Sequence, residues 1–348
     1  MAVTGAASPL GAAIARALVA ADGIGRVVAV DDRRGTTEGV TWRLGDVSSP
    51  AVADQLRGVN AVVLVAAPTD LAAAASNPQR RERAVRTVQA VATASAAVGA
   101  RRLLAVTSAM VFGAAADNPV PLPDDAPVAA TPDSGLVGDL LEVERVLERT
   151  PRVHPGLAVT VLRPSALVGP EVDTVVTRHF EAPRLLTVKE SANAWQFVHV
   201  DDVASAVVTA LLHELDGPLT VGSEGVLDQE RLERLSGMRR IELPAALALG
   251  TAQRLHRVGV LPAPASDLAF VVYPWAVSSA RLRAAGWTAS YDNETCLGVL
   301  LEGIRGRHAV AARRMDRKDA ALGAAGAAVA LVGTAALMRR RRKRGSGS

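Results

Sequence analysis

The sequence predicts an α/β fold: a doubly wound parallel sheet, a smaller C-terminal substrate lobe and a C-terminal Ala-rich helix. Three observations lead there. Short unbroken apolar runs recur through the first half of the chain, as strands buried on both faces require. Stretches rich in Ala, Leu, Glu and Arg separate them with helical spacing. Alternation of the two implies parallel strands joined by right-handed crossovers.

The elements follow in order. A strand opens at Val3, and VVAV (27–30), AVVLVAA (61–67), RLLAVTS (102–108) and LAVTVLRP (157–164) continue the sheet. Between them 9–21, 51–57, 80–98 and 136–149 read as helices. From about residue 165 the pattern loosens. WQFVHV (195–200) reads as one strand feeding a helix at 201–212, which Asp201 or Asp202 is placed to cap. PLTVGSEG (218–225) gives a strand and turn, a helix follows at 228–235, and Pro262, Pro264 and Pro274 interrupt the rest. The chain thus divides into 1–164, the sheet domain; 165–312, a smaller lobe with chain returning to the sheet; and 313–348, a basic-flanked apolar helix and tail.

Composition narrows the class. Hydrophobic residues make up 49% of the chain and aromatics only 3%, so Ala, Val and Leu must build the core. One cysteine, Cys296, excludes an intrachain disulfide and fits a reducing compartment. The first residues lack a basic region ahead of an apolar one, so no secretory leader is expected. Six of the positive charges lie in RRRRKR (339–344); taking them from the net +4 leaves −2. That balance excludes a global positive field and speaks against specific nucleic-acid binding.

VTGAASPLG (3–11) carries the first chemistry. A Gly-containing turn between strand and helix presents backbone N–H groups and the positive end of the helix dipole to a phosphate. Gly5 permits the tight turn and Gly11 close packing of the helix on the sheet. Asp31 ends VVAV twenty residues beyond Gly11, placed to accept from an adenosine ribose. The middle glycine of such a turn is here Ser8, whose Cβ crowds the backbone approach and whose hydroxyl is itself a phosphate donor. These features predict a Rossmann-like dinucleotide turn with weakened binding.

At this point the chain, over roughly residues 2–300, resembles the extended short-chain dehydrogenase/reductase family, of the NAD-dependent epimerase/dehydratase type that acts on nucleotide sugars. VTGAASPLG resembles the family's T-G-x-x-G-x-x-G. GDV (45–47) resembles its adenine-contacting segment, and VAAP (65–68) the strand end lining the cofactor. VTSAMVFG (106–113) resembles S-S-x-x-V-Y-G and sets Ser108 on the catalytic serine position. LRPSALVGP (162–170), FVHVDDVASAV (197–207) and RLRAAGW (281–287) resemble later signatures. The resemblance implies NAD held by Gly5, Ser8, Leu10, Gly11 and Asp31, with Asp46, Val47, Ala66 and Ala67 around adenine and ribose. NADP stays open, should Arg33 and Arg34 reach a 2′-phosphate. It also implies a nucleotide-sugar-like ligand and a homodimer formed through the helices at 80–98 and 136–149.

The departures concern catalysis. The family's Tyr-x-x-x-Lys pair opens the helix after the serine strand: tyrosine exchanges a proton with the substrate oxygen, and lysine lowers its pKa. In SGLVGDLLEVERVL, anchoring on Glu144 puts Leu136 and Leu140 there, and anchoring on Glu142 puts Ser134 and Gly138. Residues 1–188 hold no lysine and no tyrosine at all; the two tyrosines are Tyr273 and Tyr291. The family's asparagine in the helix after VAAP is Arg83, and the aromatic of V-Y-G is Phe112. An active site without the usual pair is expected. Ser108 either polarises a substrate oxygen or caps local backbone. Asp139, Glu142 and His199 are the alternative proton carriers, against bland readings of Glu142 and Glu144 as solvated helix carboxylates and His199 as a structural histidine. The remaining histidines show no metal-ligand spacing, and no metal site is expected.

The stretch 320–338 is nineteen residues without a charge, nine of them alanine and three glycine, followed by RRRRKR and GSGS. Its length suits a span, its hydrophobicity is marginal, and the following charges oppose the positive-inside preference for a cytoplasmic sheet. A span, a segment lying on anionic lipid and a solvent-exposed helix stay open. A cytoplasmic location, with membrane association through this helix as the alternative, is expected.

Overall fold

The computed structural model describes residues 1–67, 69–71, 79–189, 191, 193–257, 265–305, 309–310 and 313–314. The apolar segment 320–338 and its basic flank lie outside the described residues.

Among the described residues seven parallel strands form the central sheet. They are β1 (Ala2–Thr4), β2 (Val28–Asp31), β3 (Thr41–Leu44), β4 (Ala61–Val65), β5 (Arg102–Val106), β6 (Ala158–Pro164) and β11 (Gly217–Val221). Their order is β11-β6-β5-β4-β1-β2-β3. The chain runs outward one way through β2 and β3, then restarts on the other side of β1 at β4. The crevice at that reversal is where open α/β sheets place their ligands.

Both faces of the sheet are covered, which is why its strands read as unbroken apolar runs. The helices Pro9–Ala20 and Val200–Leu212 cover one face, where Leu10, Ile14, Leu18, Val203 and Val207 bury against Val3, Ala29, Val63 and Leu104. Arg80–Ala97 and Leu136–Val153 cover the other, with Val88, Val91, Val143 and Leu147 against Val28, Val62 and Leu103. Strand β3 (TWRL) carries no such run. It is the sheet edge, half exposed, and the predicted pattern misses it.

The lobe is assembled from short paired strands. β7 (Ala166–Val168) pairs with β10 (Phe197–His199), β8 (Leu185–Val188) with β13 (Arg240–Leu243), and β9 (Ala194–Trp195) with β12 (Leu227–Asp228). The predicted single strand 195–200 is therefore two. Gln196 breaks it, turning inward to donate to the Ser223 and Val277 carbonyls and accept from Val277 N–H. The scarce aromatics concentrate here: Phe180, Trp195, Phe197, Phe270 and Trp275 form the centre of a second core. Between β10 and β12 the chain returns to the sheet through β11 beside β6.

The helix Val200–Leu212 begins one residue before its predicted start, and its cap is His199 rather than Asp201 or Asp202. The His199 Nδ1 accepts from Asp201 N–H at 3.2 Å. Asp202 is instead buried, accepting from Ser290 and Tyr291 N–H at 2.7 and 3.0 Å.

Candidate functional site

The turn after β1 closes through its own backbone. Gly5 sits at φ +73°, where a side chain would be strained, and Gly5 and Ala6 N–H both donate to Val30 O. Gly11 has no room for more: a Cβ there would lie 2.0 Å from Gly5 O. Ser8 caps the helix, accepting from Gly11 N–H at 3.1 Å and donating to Gly5 O at 2.7 Å. Its hydroxyl proton is thus engaged inside the turn. Pro9 has no N–H, so the amide of Leu10 is left at the helix end with no acceptor among the described residues.

Asp31 ends β2 beside this turn. Its carboxylate accepts from Ala7 N–H and Asp32 N–H, each at 2.9 Å, and burial raises its pKa despite those donors. The strand order places Asp31, Asp46 and Val47 on one side of the turn, and Ala66 and Ala67 on the other. Ser48 donates to Asp46 from both hydroxyl and backbone and holds its pKa low. Val47 and Ala66 are partly buried against the sheet, and Ala66 and Ala67 N–H converge on Val106 O at 2.9 Å. All nine predicted cofactor residues therefore gather at the carboxyl ends of β1, β2, β3 and β4. Arg33 and Arg34 are exposed beyond β2. Arg83 also reaches this end: its guanidinium lies 3.4 Å from Asp32 and 4.0 Å from Asp46.

The other end of the crevice, after β5, is built of packing and closed ion pairs. Ser108 is buried and caps a 3-10 turn, Ala109–Phe112, accepting from Met110 N–H at 3.2 Å. The helix Leu136–Val153 starts nearby, and Leu136 and Leu140 bury into the apolar core with Ala109, Val111 and Phe112. Asp133 holds its first turn, accepting from Gly135 and Gly138 N–H at 2.8 and 3.3 Å.

The carboxylates expected on this helix divide sharply. Asp139 is buried and held by both Arg80 and Arg81, the latter at 2.9 Å, so that each of its oxygens faces a guanidinium. Glu142 pairs with Arg145 near the surface. Glu144, expected as a solvated carboxylate, is buried. Arg163 from β6 grips it through Nη2 at 2.6 Å and Nε at 3.1 Å, and the Thr107 hydroxyl donates to it at 2.7 Å. Arg163 in turn stands 5.0 Å over the Phe112 ring. A charge inside the apolar run LAVTVLRP was the available signal, since such a charge requires a buried partner. His199, besides capping its helix, stacks on Tyr291 at 4.0 Å, and burial lowers its pKa although Asp201 and Asp202 oppose this.

Across from Asp133 the helix Ala265–Val272 brings Ser266, which donates to the Asp133 carboxylate, and Asp267. Asp267 is 2% exposed, and burial pushes its pKa up to about 7. Asp133 and Asp139 raise it further while Arg80 opposes them. No sequence pattern marks this residue.

With this geometry in place, comparison with known proteins identifies the chain. The profile of the NAD dependent epimerase/dehydratase family matches residues 1–222, and the chain belongs to that family. The uncharacterized protein Rv0501 of Mycobacterium tuberculosis is 26% identical over 295 residues, covering 81% of this chain and 77% of its own length. A 3-diazoavenalumate denitrifying reductase from Streptomyces is 35% identical over 136 residues, 37% of this chain and 42% of that protein. Among solved structures, MoeE5 in complex with UDP-glucuronic acid and NAD is similar at a TM-score of 0.65 and 22% identity. That match covers 87% of this chain and 98% of that one.

Proposed function

We propose that this chain binds NAD at the turn after β1 but does not carry out the Tyr-Lys chemistry of its family. The carrying observation is the pairing of a closed Gly5–Gly11 turn with buried Leu136 and Leu140 where the proton-transfer pair would stand. The residues at the turn fit the cofactor: an unsatisfied Leu10 amide at a helix N-terminus suits a pyrophosphate, and the Asp31 carboxylate suits a ribose diol. Gly5, Ser8, Leu10 and Gly11 would hold the pyrophosphate, with Ser8 acting through its cap. Asp46, Val47, Ala66 and Ala67 would line adenosine and ribose. When bound, NAD supplies a hydride acceptor. The residues around it supply binding and orientation, and the Asp139 and Glu144 carboxylates are closed in ion pairs. The Asp31–Asp32 carboxylates favour NAD over NADP by repulsion of a 2′-phosphate. A nucleotide-sugar-like molecule would lie between Ser108, the chain after Pro164 and the lobe.

Titrating the purified chain with NAD, NADH, NADP and NADPH tests this. Saturable binding of NAD or NADH is expected, and no binding of any of the four at millimolar concentration would sink it.

A specific feature favours a second reading, turnover by a non-standard group: Ser108 keeps the position of the family's serine. Turnover of a nucleotide sugar that disappears in Ser108→Ala supports it; none in the wild type excludes it. The division at residues 164 and 312, homodimerisation through the helices at 80–97 and 136–153, and membrane contact through 320–344 complete the proposal. Sedimentation checks the dimer. Cell fractionation with and without 320–348 checks the contact, and an unchanged distribution counts against it.

A further inference from the structure

We propose that Arg83 forms one wall of the adenine site, its guanidinium lying against the base while Asp32 and Asp46 both face its Nη2 nitrogen. The inference rests on the reading that the turn after β1 binds a dinucleotide. Asp32 follows β2 and Asp46 follows β3, and these strands are neighbours, so the two residues lie at adjacent strand ends. Arg83, in the first turn of Arg80–Ala97, lies 3.4 Å from Asp32 and 4.0 Å from Asp46. Two partners, one on each strand end, fix where a long side chain would otherwise wander. Its side chain is 49% exposed, so part of the guanidinium remains open to a ligand.

Stability does not account for this arrangement. Exposed ion pairs of this length contribute little to folding. A planar cation poised beside an aromatic ring, by contrast, is a strong recognition device, because the ring face is electron-rich and the guanidinium is weakly hydrated. The partly buried Val47 and Ala66 add apolar surface at the same strand ends.

Calorimetric titration of wild type, Arg83→Ala and Arg83→Lys with NAD, AMP, 2′,5′-ADP and nicotinamide mononucleotide tests the assignment. Arg83→Ala should weaken NAD and AMP roughly five- to tenfold, leave nicotinamide mononucleotide unchanged and leave the melting temperature within a degree or two. Arg83→Lys keeps the charge without the plane and should behave like the alanine variant. Equal NAD affinity in wild type and Arg83→Ala overturns the inference. Full rescue by lysine overturns it in favour of charge alone, and loss confined to 2′,5′-ADP overturns it in favour of a phosphate ligand. Failure of the wild type to bind any of the four ligands removes the dinucleotide reading itself, and the inference with it.

Discussion

The two ends of the crevice use polar groups in opposite ways. At the turn after β1 they are left partly unspent: the Leu10 amide has no acceptor among the described residues, and the Asp31, Asp32 and Asp46 carboxylates face open solvent on at least one side. Past β5 the two buried carboxylates of the helix Leu136–Val153 are closed in ion pairs. Asp139 is closed by Arg80 and Arg81, and Glu144 by Arg163 and Thr107. Leu136 and Leu140, on the same helix as these two carboxylates, are buried in the apolar core. A binding site needs donors that water can still reach; a scaffold needs donors that it cannot. Carboxylates stay accessible at one end of this crevice and are closed in buried pairs at the other.

The largest expected effect tests the packing end. Arg163→Ala leaves the Glu144 carboxylate buried without its guanidinium and should cost about 3–5 kcal/mol in denaturant unfolding. Full retention of stability would show that the pair is not structural. At the binding end, Gly11→Val drives a Cβ into Gly5 O and should reduce NAD affinity by roughly a hundredfold or more, with a stability loss of about 3 kcal/mol. Affinity surviving this change would place the ligand elsewhere.

A smaller effect concerns pH. Asp267 binds its proton more tightly folded than unfolded, with its pKa moved from 3.8 to about 7, so the folded state gains relative to the unfolded one below that range. Its contribution to stability therefore falls as pH rises from about 4 to about 7. His179 runs the other way. Burial lowers its pKa from 6.5 to about 4, so stability is lost as pH falls through that window. Asp267→Asn should raise stability at pH 8 by on the order of 2 kcal/mol and have little effect at pH 4. A pH-independent effect would mean that Asp267 is ionised throughout. The smallest effect is Ser108→Ala. Loss of its cap should cost about 1 kcal/mol while leaving NAD affinity within twofold. A large loss of affinity there would draw the packing end into the ligand site.

Much of this architecture was legible in the sequence. The four interior apolar runs became β2, β4, β5 and β6 within a few residues, because burial on both faces leaves no alternation to misread. The turn residues Gly5 and Gly11 were legible for the same local reason, since strand, turn and helix lie within twenty residues. Strand β3 was not, because an edge strand needs no apolar run. Nor was the burial of Glu144, whose partners Thr107 and Arg163 stand 37 and 19 residues away and meet it only once β5, β6 and the helix Leu136–Val153 pack. Arg83 was visible only as a departure from the family's asparagine. Its meeting with Asp32, 51 residues distant, belongs to the tertiary structure. Local geometry was readable, and long-range pairing of charges was not.

The contrast between the ends is tested most directly by NAD titration of the full chain beside its Asp31→Ala variant, with turnover of a nucleotide sugar followed in the same samples. The account predicts saturable one-to-one binding in the wild type, a loss of roughly tenfold or more in the variant, and no turnover in either. Turnover by the wild type, or equal NAD affinity in both chains, would contradict it.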